Sequence, residues 1–310
     1  MKKRIAKDIP GYEGFVKIEP IAKGWSGDKK YYVEAADGRR MFLRVSDKKE
    51  FARKKAEYEM MERVYNIGVL TPQPLRFGLC GNGKYVYSLF GWIDGKDAET
   101  AMAHMNEQER YALGTKAGEL LRRIHTLPAP EGAEPGDIRF RREVTMCIDL
   151  YNEHHLQSEN GKKVIQFLRD KQNVLHSRPQ TFCHGDFQIE NLIVTPGGDV
   201  GAIDFNCCNL GYGDPWREFI HLPCGKETPA QFLFLSGMIN GYFQNSPPHD
   251  FFVMLSYYFA WDALAALCFT FIGWELHPPE DGRRHMENVL RWFDDMSNPV
   301  PSWYLKEYAP

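Results

Sequence analysis

The sequence has no decisive excess of one charge: 38 Lys and Arg stand against 41 Asp and Glu, a formal net charge of −3 over 310 residues. That removes any bulk electrostatic case for nucleic acid or an anionic membrane as partner, and leans weakly toward a cationic small molecule. Cysteine is scarce and unpatterned. There are seven, an odd number without regular spacing, and the adjacent Cys207 and Cys208 fit neither a zinc knuckle nor a CxxC redox pair. Such cysteines read as small buried hydrophobes in a reducing compartment. The opening "MKKRIAKDIPGYEG" has basic residues without an apolar h-region, so it does not read as a signal peptide and a cytoplasmic location is expected. The stretch "LPAPEGAEPGD" at 127–137 reads as an exposed Pro/Gly-rich loop, with no repeat or low-complexity tract elsewhere.

Long apolar runs are nearly absent as well. The exception, "FFVMLSYYFAWDALAALCFTFIGW" at 251–274, is long enough to cross a bilayer. Asp262 sits near its middle, where a charge costs about 3 kcal/mol on insertion scales, and no basic cluster flanks it closely enough to set an orientation. The run therefore reads as buried helix in a soluble helical lobe, with no membrane as partner.

What is present suffices for one large core or two moderate ones, since 43% of the residues are apolar. "GFVKIEPI", "KYYVEAA" and "RMFLRVS" are short, β-branched and aromatic, and separated by turn formers such as Asp37-Gly38. A charged stretch over 48–65 carries Phe51, Tyr58, Met61 and Tyr65 near helical spacing. "PLRFGLC" and "KYVYSLF" read as a hairpin closed at Gly81-Asn82-Gly83. From Asn106, a plausible N-cap, helices dominate: 142–156, 161–175, 229–243, 251–274 and 282–296 all fit. Two short strands, "NLIVT" and "VGAIDF", interrupt them. The expected fold class is α+β and two-lobed, with a small β-rich lobe over 1–92 carrying one main helix and a larger, mostly helical lobe over 93–310.

The chemistry is concentrated in "CHGDFQIENLIV", residues 183–194. Phosphoryl transfer from a nucleotide needs a carboxylate to receive or orient the acceptor proton, hard oxygen ligands for Mg²⁺, and a cation bracing the phosphates. An Asp followed five residues later by an Asn in a tight loop can aim the Asp at the acceptor while the Asn turns back to a metal. A second Asp at a strand end can complete the metal site. Asp186, Asn191 and Asp204 supply that set. A plainer reading makes Asp186 a loop cap and Asn191 a strand-start turn residue; the ordered companion Asp204 and the upstream β lobe weigh against it.

"HGDFQIEN", then "IDF", then "GYGDPWREF" resembles the aminoglycoside phosphotransferase family, a branch of the protein-kinase-like fold that includes choline-type and other small-molecule kinases. The resemblance spans nearly the whole chain and is strongest in the second lobe. It implies a two-lobed kinase fold, a nucleotide (ATP or GTP) between the lobes, and Mg²⁺. By motif it makes Asp186 the catalytic base, Asn191 and Asp204 metal ligands, His184 the structural histidine of the loop, and Gly213 to Trp216 a scaffold element. In "MFLRVS" the family usually shows a lysine that braces the phosphates; here that position is Arg44, which keeps the charge and can fork onto phosphate oxygens. "KKAEYEMMERV" resembles the family's helix, with Glu57 preferred over Glu59 as partner of that cation. "GWSGDK" resembles the nucleotide-positioning loop through Ser26, or is a plain turn. Phe42, on the strand face of Arg44, either packs on the base or fills the core. Backbone groups of Gly91, Trp92 and Ile93 are placed to meet a purine.

Family acceptors bind in a cleft of the second lobe, and aminoglycosides are polyamines that need carboxylates. Asp262, Trp274 and Glu275 are the expected acceptor contacts, with Trp261, Glu280, Asp281, Asp294 and Asp295 close in sequence. A lone carboxylate in an apolar helix must line a cavity or be satisfied by a neighbouring arginine or backbone group. The first expectation is a Mg²⁺-dependent kinase acting on a hydroxyl of an aminoglycoside or related cationic antibiotic, which would make it an antibiotic-resistance enzyme. A metabolic kinase for choline, a sugar or homoserine is the alternative, and a nucleotide-binding pseudokinase scaffold a third.

Overall fold

The computed structural model describes residues 7–22, 27–156, 158–175, 178–205, 211–221, 227–268, 271 and 279–308. Two compact units divide the chain: Met1–Lys96 with Ile193–Ile203, and Asp97–Leu192 with Asp204–Pro310. The division thus differs from a single cut after residue 92. A hairpin from far along the chain joins the first unit, because the Ala202 amide donates to Leu70 O at 2.9 Å. Gly201 makes that approach possible, since a Cβ there would lie 3.0 Å from the same oxygen.

In the first unit five strands form an antiparallel sheet: β1 (Phe15–Ile21), β2 (Lys29–Ala35), β3 (Arg40–Asp47), β4 (Pro74–Cys80) and β5 (Tyr85–Gly91), in the order β1-β2-β3-β5-β4. Alternation explains the pairing. Tyr31, Val33 and Ala35 of β2 and Met41, Leu43 and Val45 of β3 turn to one face, where Ile9, Tyr87 and Leu89 join them in a buried cluster. The other face presents Phe42, Arg44 and Ser46, whose cross-strand partners on β5 are Phe90, Ser88 and Val86. Helix α1 (Phe51–Asn66) is held to the unit by aromatic contacts, Tyr58 to Phe90 at 5.5 Å and Phe51 to Phe77 at 5.3 Å between ring centres. The β4–β5 turn has Gly81, Asn82 and Gly83 all at positive φ, and the Asp8 carboxylate accepts the Gly81 and Asn82 amides at 2.9 Å each.

The second unit is helical: α2 (Ala98–Met102), α3 (Glu107–Ile124), α4 (Gly136–Glu153), α5 (Glu159–Asp170), α6 (Pro229–Tyr242), α7 (His249–Cys268) and α8 (Pro279–Trp292). Helix α3 starts at Asn106, which forms a capping box with Glu109, and α6 starts at Thr228, which forms one with Gln231. These two helices approach closely through glycines. A Cβ on Gly114 or Gly118 would lie 2.0 Å from the Phe234 or Met238 carbonyl oxygen, and one on Gly237 or Gly241 2.1 Å from Tyr111 or Thr115 O. Helix α7 is apolar and long enough for a bilayer by composition, yet most of it is buried within the unit. It begins earlier than expected and, among the described residues, ends at Cys268. The strand pair β7 (Thr181–Phe182) and β10 (Tyr212–Gly213) brackets the loop that carries Asp186; β8 (Leu192–Val194) and β9 (Val200–Ala202) form the hairpin, beside β6 (Lys96–Asp97). Cys80, Cys147 and Cys268 are buried free thiols, and burial pushes each up to about 12; Cys207 and Cys208 lie outside the described residues.

Candidate active site

The loop from Cys183 to Asn191 is built around buried anchors. His184 is fully buried, with its ring against Phe187 at 5.4 Å and Phe205 at 4.2 Å between centres. Its Nδ1 accepts the Asp186 amide at 3.3 Å, so in neutral His184 the ring proton belongs on Nε2. Gly185 turns the chain at φ +80°, a region open to glycine at little cost. Asp186 is half-buried, and Asn191 Nδ2 donates to its backbone oxygen at 3.0 Å and to its Oδ2 at 2.7 Å. Asp186 and Asn191 are therefore brought together directly, and the amide holds the carboxylate in one orientation.

Asp204 stands exposed at φ +58°, a left-handed conformation that strains a non-glycine residue by about 1 kcal/mol or more. The next residue fixes it. Phe205 is buried, stacked on Phe182 at 6.0 Å and set against His184. Through its neighbour Phe205, Asp204 is tied to the same histidine that anchors the Asp186 loop.

Sequence reasoning did not find Glu218. This residue is 4% exposed and accepts the His184 amide at 2.7 Å and the Gly185 amide at 3.0 Å. Burial alone would raise its pKa, but the facing His221, with His125 and His184, outweighs burial and holds it down at about 2. His221 is raised in turn: burial lowers it, and the charges of Glu218, Asp186 and Asp262 overcome that. His221 thus lies within electrostatic reach of both Asp186 and Asp262. Asp214, in the segment expected as scaffold, accepts from Trp216 N at 2.9 Å and Tyr258 Oη at 3.0 Å and pairs with Arg178, whose guanidinium stacks 3.3 Å from the Trp216 ring centre.

Asp262 finds its partner in a histidine. Its Oδ2 meets His285 Nε2 at 2.8 Å while the side chain stays 29% exposed, and His285 Nδ1 meets Glu227 Oε1 at 3.0 Å. His285 is fully buried; burial lowers its affinity for a proton, but the two carboxylates prevail and raise it to about 9. Protonated, this trio sums to one negative charge at the edge of α7. The other expected acceptor contacts, Trp274 and Glu275, lie outside the described residues.

In the first unit the expected cation and glutamate meet, but loosely. Arg44 Nη1 lies 3.7 Å from Glu57 Oε2, and Arg44 Nε 3.9 Å from Asp28 Oδ2. Glu59 is turned away and pairs with Lys55 at 3.5 Å on the exposed side. The short bonds belong to Lys54, 3% exposed, whose Nζ donates to Asp28 Oδ2 at 2.7 Å and Glu57 Oε2 at 3.0 Å. Ser46 Oγ donates to Asp28 Oδ1 at 2.6 Å. Asp28 is lowered because Lys54, Ser46 and Arg44 together outweigh the upward push of burial. Phe42 stacks with Phe90 at 6.4 Å, with Arg44 5.7 Å from its ring centre. The Gly91 and Trp92 amides donate to Gln73 O at 2.7 Å and Arg40 O at 3.0 Å. Of the three amides expected to meet a purine, only that of Ile93 is not engaged in these two bonds. Ser26 lies outside the described residues.

As to metal, no group of three or more His, Cys, Asp or Glu among the described residues is arranged to hold an ion. A Mg²⁺ held largely by nucleotide phosphates needs only one or two protein oxygens. Because Asn191 gives its Nδ2 to Asp186, its Oδ1 is the atom left for a cation, and Asp204 adds a carboxylate, so this donor set fits.

Three solved structures show the same architecture. Aminoglycoside phosphotransferase APH(2'')-Ib in its ADP-bound form is 15% identical, covering 92% of this chain and 94% of its own, with a TM-score of 0.58. A complex of gentamicin with APH(2'')-IIa is also 15% identical, covering 92% of this chain and 93% of its own, with a TM-score of 0.59. A Haemophilus somnus protein described as a fructosamine-3-kinase is 11% identical, covering 93% and 99%, with a TM-score of 0.62. At such identities the likeness is one of fold, and that fold is kinase-like. No curated protein matches the chain. The profile of the phosphotransferase enzyme family matches residues 17–263, which takes in the β sheet, the Asp186 loop, Asp204 and most of α7, and the chain belongs to that family.

Proposed function

We infer that the protein transfers the terminal phosphoryl group of ATP or GTP to a hydroxyl of a cationic small molecule, an aminoglycoside or a relative of one. The observation that carries this reading is the Asp186 carboxylate, oriented by Asn191 and standing on a loop whose amides are locked by Glu218. A carboxylate so placed accepts the hydrogen bond of an incoming hydroxyl and receives its proton as the oxygen attacks. Asn191 Oδ1 and Asp204 would hold Mg²⁺, which when bound offsets the phosphate charge. On this reading the purine takes its hydrogen bond from the Ile93 amide, since those of Gly91 and Trp92 are given to Gln73 O and Arg40 O. Asp262, half of whose carboxylate is taken by His285, offers its remaining oxygen and the net negative charge of the Asp262–His285–Glu227 trio to an ammonium group.

The test is an acceptor panel with nucleotide and Mg²⁺, reading ADP or GDP release: aminoglycosides, choline, a fructosamine, neutral sugars and homoserine. Turnover on aminoglycosides, abolished in Asp186→Ala while nucleotide binding persists, is the expected result. Turnover confined to neutral sugars or homoserine would overturn the cationic acceptor, and equal turnover in wild type and Asp186→Ala would overturn the assignment of the base.

A further inference from the structure

Lys54 is the most buried charge of the cluster around Arg44 and Glu57, and the sequence alone assigns it no role. An ammonium that is 3% exposed must be paired to persist. It is paired twice, to Asp28 at 2.7 Å and to Glu57 one helical turn away at 3.0 Å. The same two carboxylates are the ion-pair partners of Arg44, at the longer distances of 3.9 and 3.7 Å. Arg53 adds a bond to Glu57 Oε1 at 2.8 Å from the exposed side, and Ser46 one to Asp28 Oδ1. Two half-buried acids therefore take short bonds from Lys54, Ser46 and Arg53, and Arg44 is set at ion-pair distance from both.

Stability alone is a weak reason for this arrangement. Helix α1 is already fixed by Phe51 and Tyr58 against Phe77 and Phe90, and a buried ion cluster contributes no more than well-packed apolar side chains of similar volume. In kinase chemistry one strand lysine both braces the phosphates and holds the helix glutamate. A guanidinium at that position is longer and planar, and suits two phosphate oxygens better than it suits a lone carboxylate already bonded elsewhere.

We propose that Lys54 is a positioning residue for the nucleotide: it holds Glu57 and Asp28, and through them sets the Arg44 guanidinium against the phosphates. The two tasks of one strand lysine are thus divided between Arg44 on β3 and Lys54 on α1. The assignment rests on the kinase reading above, and it places Asp28 in the same network.

The experiment measures binding of ATP and GTP, each with Mg²⁺, by calorimetry, beside thermal melting, in wild type, Lys54→Met and Lys54→Met/Arg44→Lys. Methionine keeps the unbranched stem and removes the ammonium and its charge. Lys54→Met is expected to bind nucleotide about tenfold to a hundredfold more weakly, as is usual when a residue supporting the contacting group is lost. In the double variant a lysine on β3 can take the bonds to Glu57 and Asp28, so most of the binding should return. Both variants carry the same net charge, so such a recovery reports geometry. Wild-type affinity in Lys54→Met, or a double variant as weak as the single one, would overturn the proposal and leave Lys54 a helix anchor. A wild type that binds neither nucleotide would remove the kinase reading itself and the assignment with it. If Lys54→Met does not fold, Lys54→Met/Asp28→Asn, which removes both charges of the shorter pair, is measured in its place against the same outcomes.

Discussion

The carboxylate of Glu218 accepts the backbone N–H of His184 at 2.7 Å and that of Gly185 at 3.0 Å, so an acid on the "GDPWREF" segment fixes the backbone on which Asp186 stands. The bond is charge-assisted and buried, a setting in which backbone donors have no water to fall back on. It also explains why the loop tolerates a glycine at φ +80° next to a residue that must aim a carboxylate: the two amides on either side of the turn share one acceptor.

Glu218→Gln tests that relationship. The amide keeps one acceptor oxygen and turns an NH₂ toward a backbone N–H, leaving one buried donor unsatisfied at a cost of about 2 kcal/mol. His221 loses its charged partner at the same time. Lower Tm is expected, together with turnover reduced about a hundredfold, because a misplacement on the order of 1 Å at the reacting group costs that much. Nucleotide affinity should hold. In the wild type, because Glu218 is held at about 2 against an ordinary 4.5, its stabilising contribution is complete above pH 4.5 and is lost as pH falls toward 2. Melting curves across that acid range should separate wild type from variant at pH 5 and bring them together near pH 2. Unchanged stability and turnover in Glu218→Gln would refute the role.

Gly114 and Gly118 on α3 face Gly237 and Gly241 on α6, and the backbones meet with no room for a methyl group. Gly114→Ala would place a Cβ 2.0 Å from the Phe234 oxygen, and backbone cannot swing aside as a side chain would. Destabilisation of about 3 kcal/mol is expected from overpacking, read by chemical denaturation. At Gly132, where φ is +78° but nothing lies within 4 Å, alanine should cost about 1 kcal/mol from backbone strain alone. Equal losses at the two positions would show that helix contact is not what the α3 glycines serve.

What was legible in the sequence follows from how local each feature is. The strands of the first unit alternate in and out, and Tyr31, Val33, Leu43 and Val45 fall where that period puts them. The Asp186–Asn191 pair was legible because both ends lie in one loop. Lys54 was not, since its burial depends on Asp28, 26 residues earlier, and a lysine in a "RKK" run otherwise reads as solvated. Glu218 meets amides 34 and 33 residues away, and Asp262 meets His285 23 residues on, across two helices. None of these pairings leaves a periodic or short-range mark. Helix starts also shifted: α4 begins at Gly136, within what reads as the end of a Pro/Gly-rich loop, because tertiary packing of Phe140 and Val144 extends it.

Asp262 is where acceptor chemistry and acid–base behaviour can be read from one variant. His285 is raised from an ordinary 6.5 to about 9 by Asp262 and Glu227, against the downward effect of burial. A raised histidine stabilises the fold fully below pH 6.5, and that contribution is lost as pH rises through 9. Wild-type Tm should therefore decline between pH 6.5 and 9. Asp262→Asn leaves His285 with Glu227 as its charged partner, so the decline should be smaller and should end at lower pH. The same substitution removes the charge offered to the acceptor and keeps its shape. For a cationic acceptor KM should rise about tenfold or more, the size expected when one partner of a half-buried ion pair is neutralised, and the rise should shrink in high salt. KM for the nucleotide should stay where it was. If Asp262→Asn flattens the pH profile and leaves the acceptor KM unchanged, the carboxylate serves the histidine alone, and the ammonium of the acceptor must be met elsewhere in the second unit.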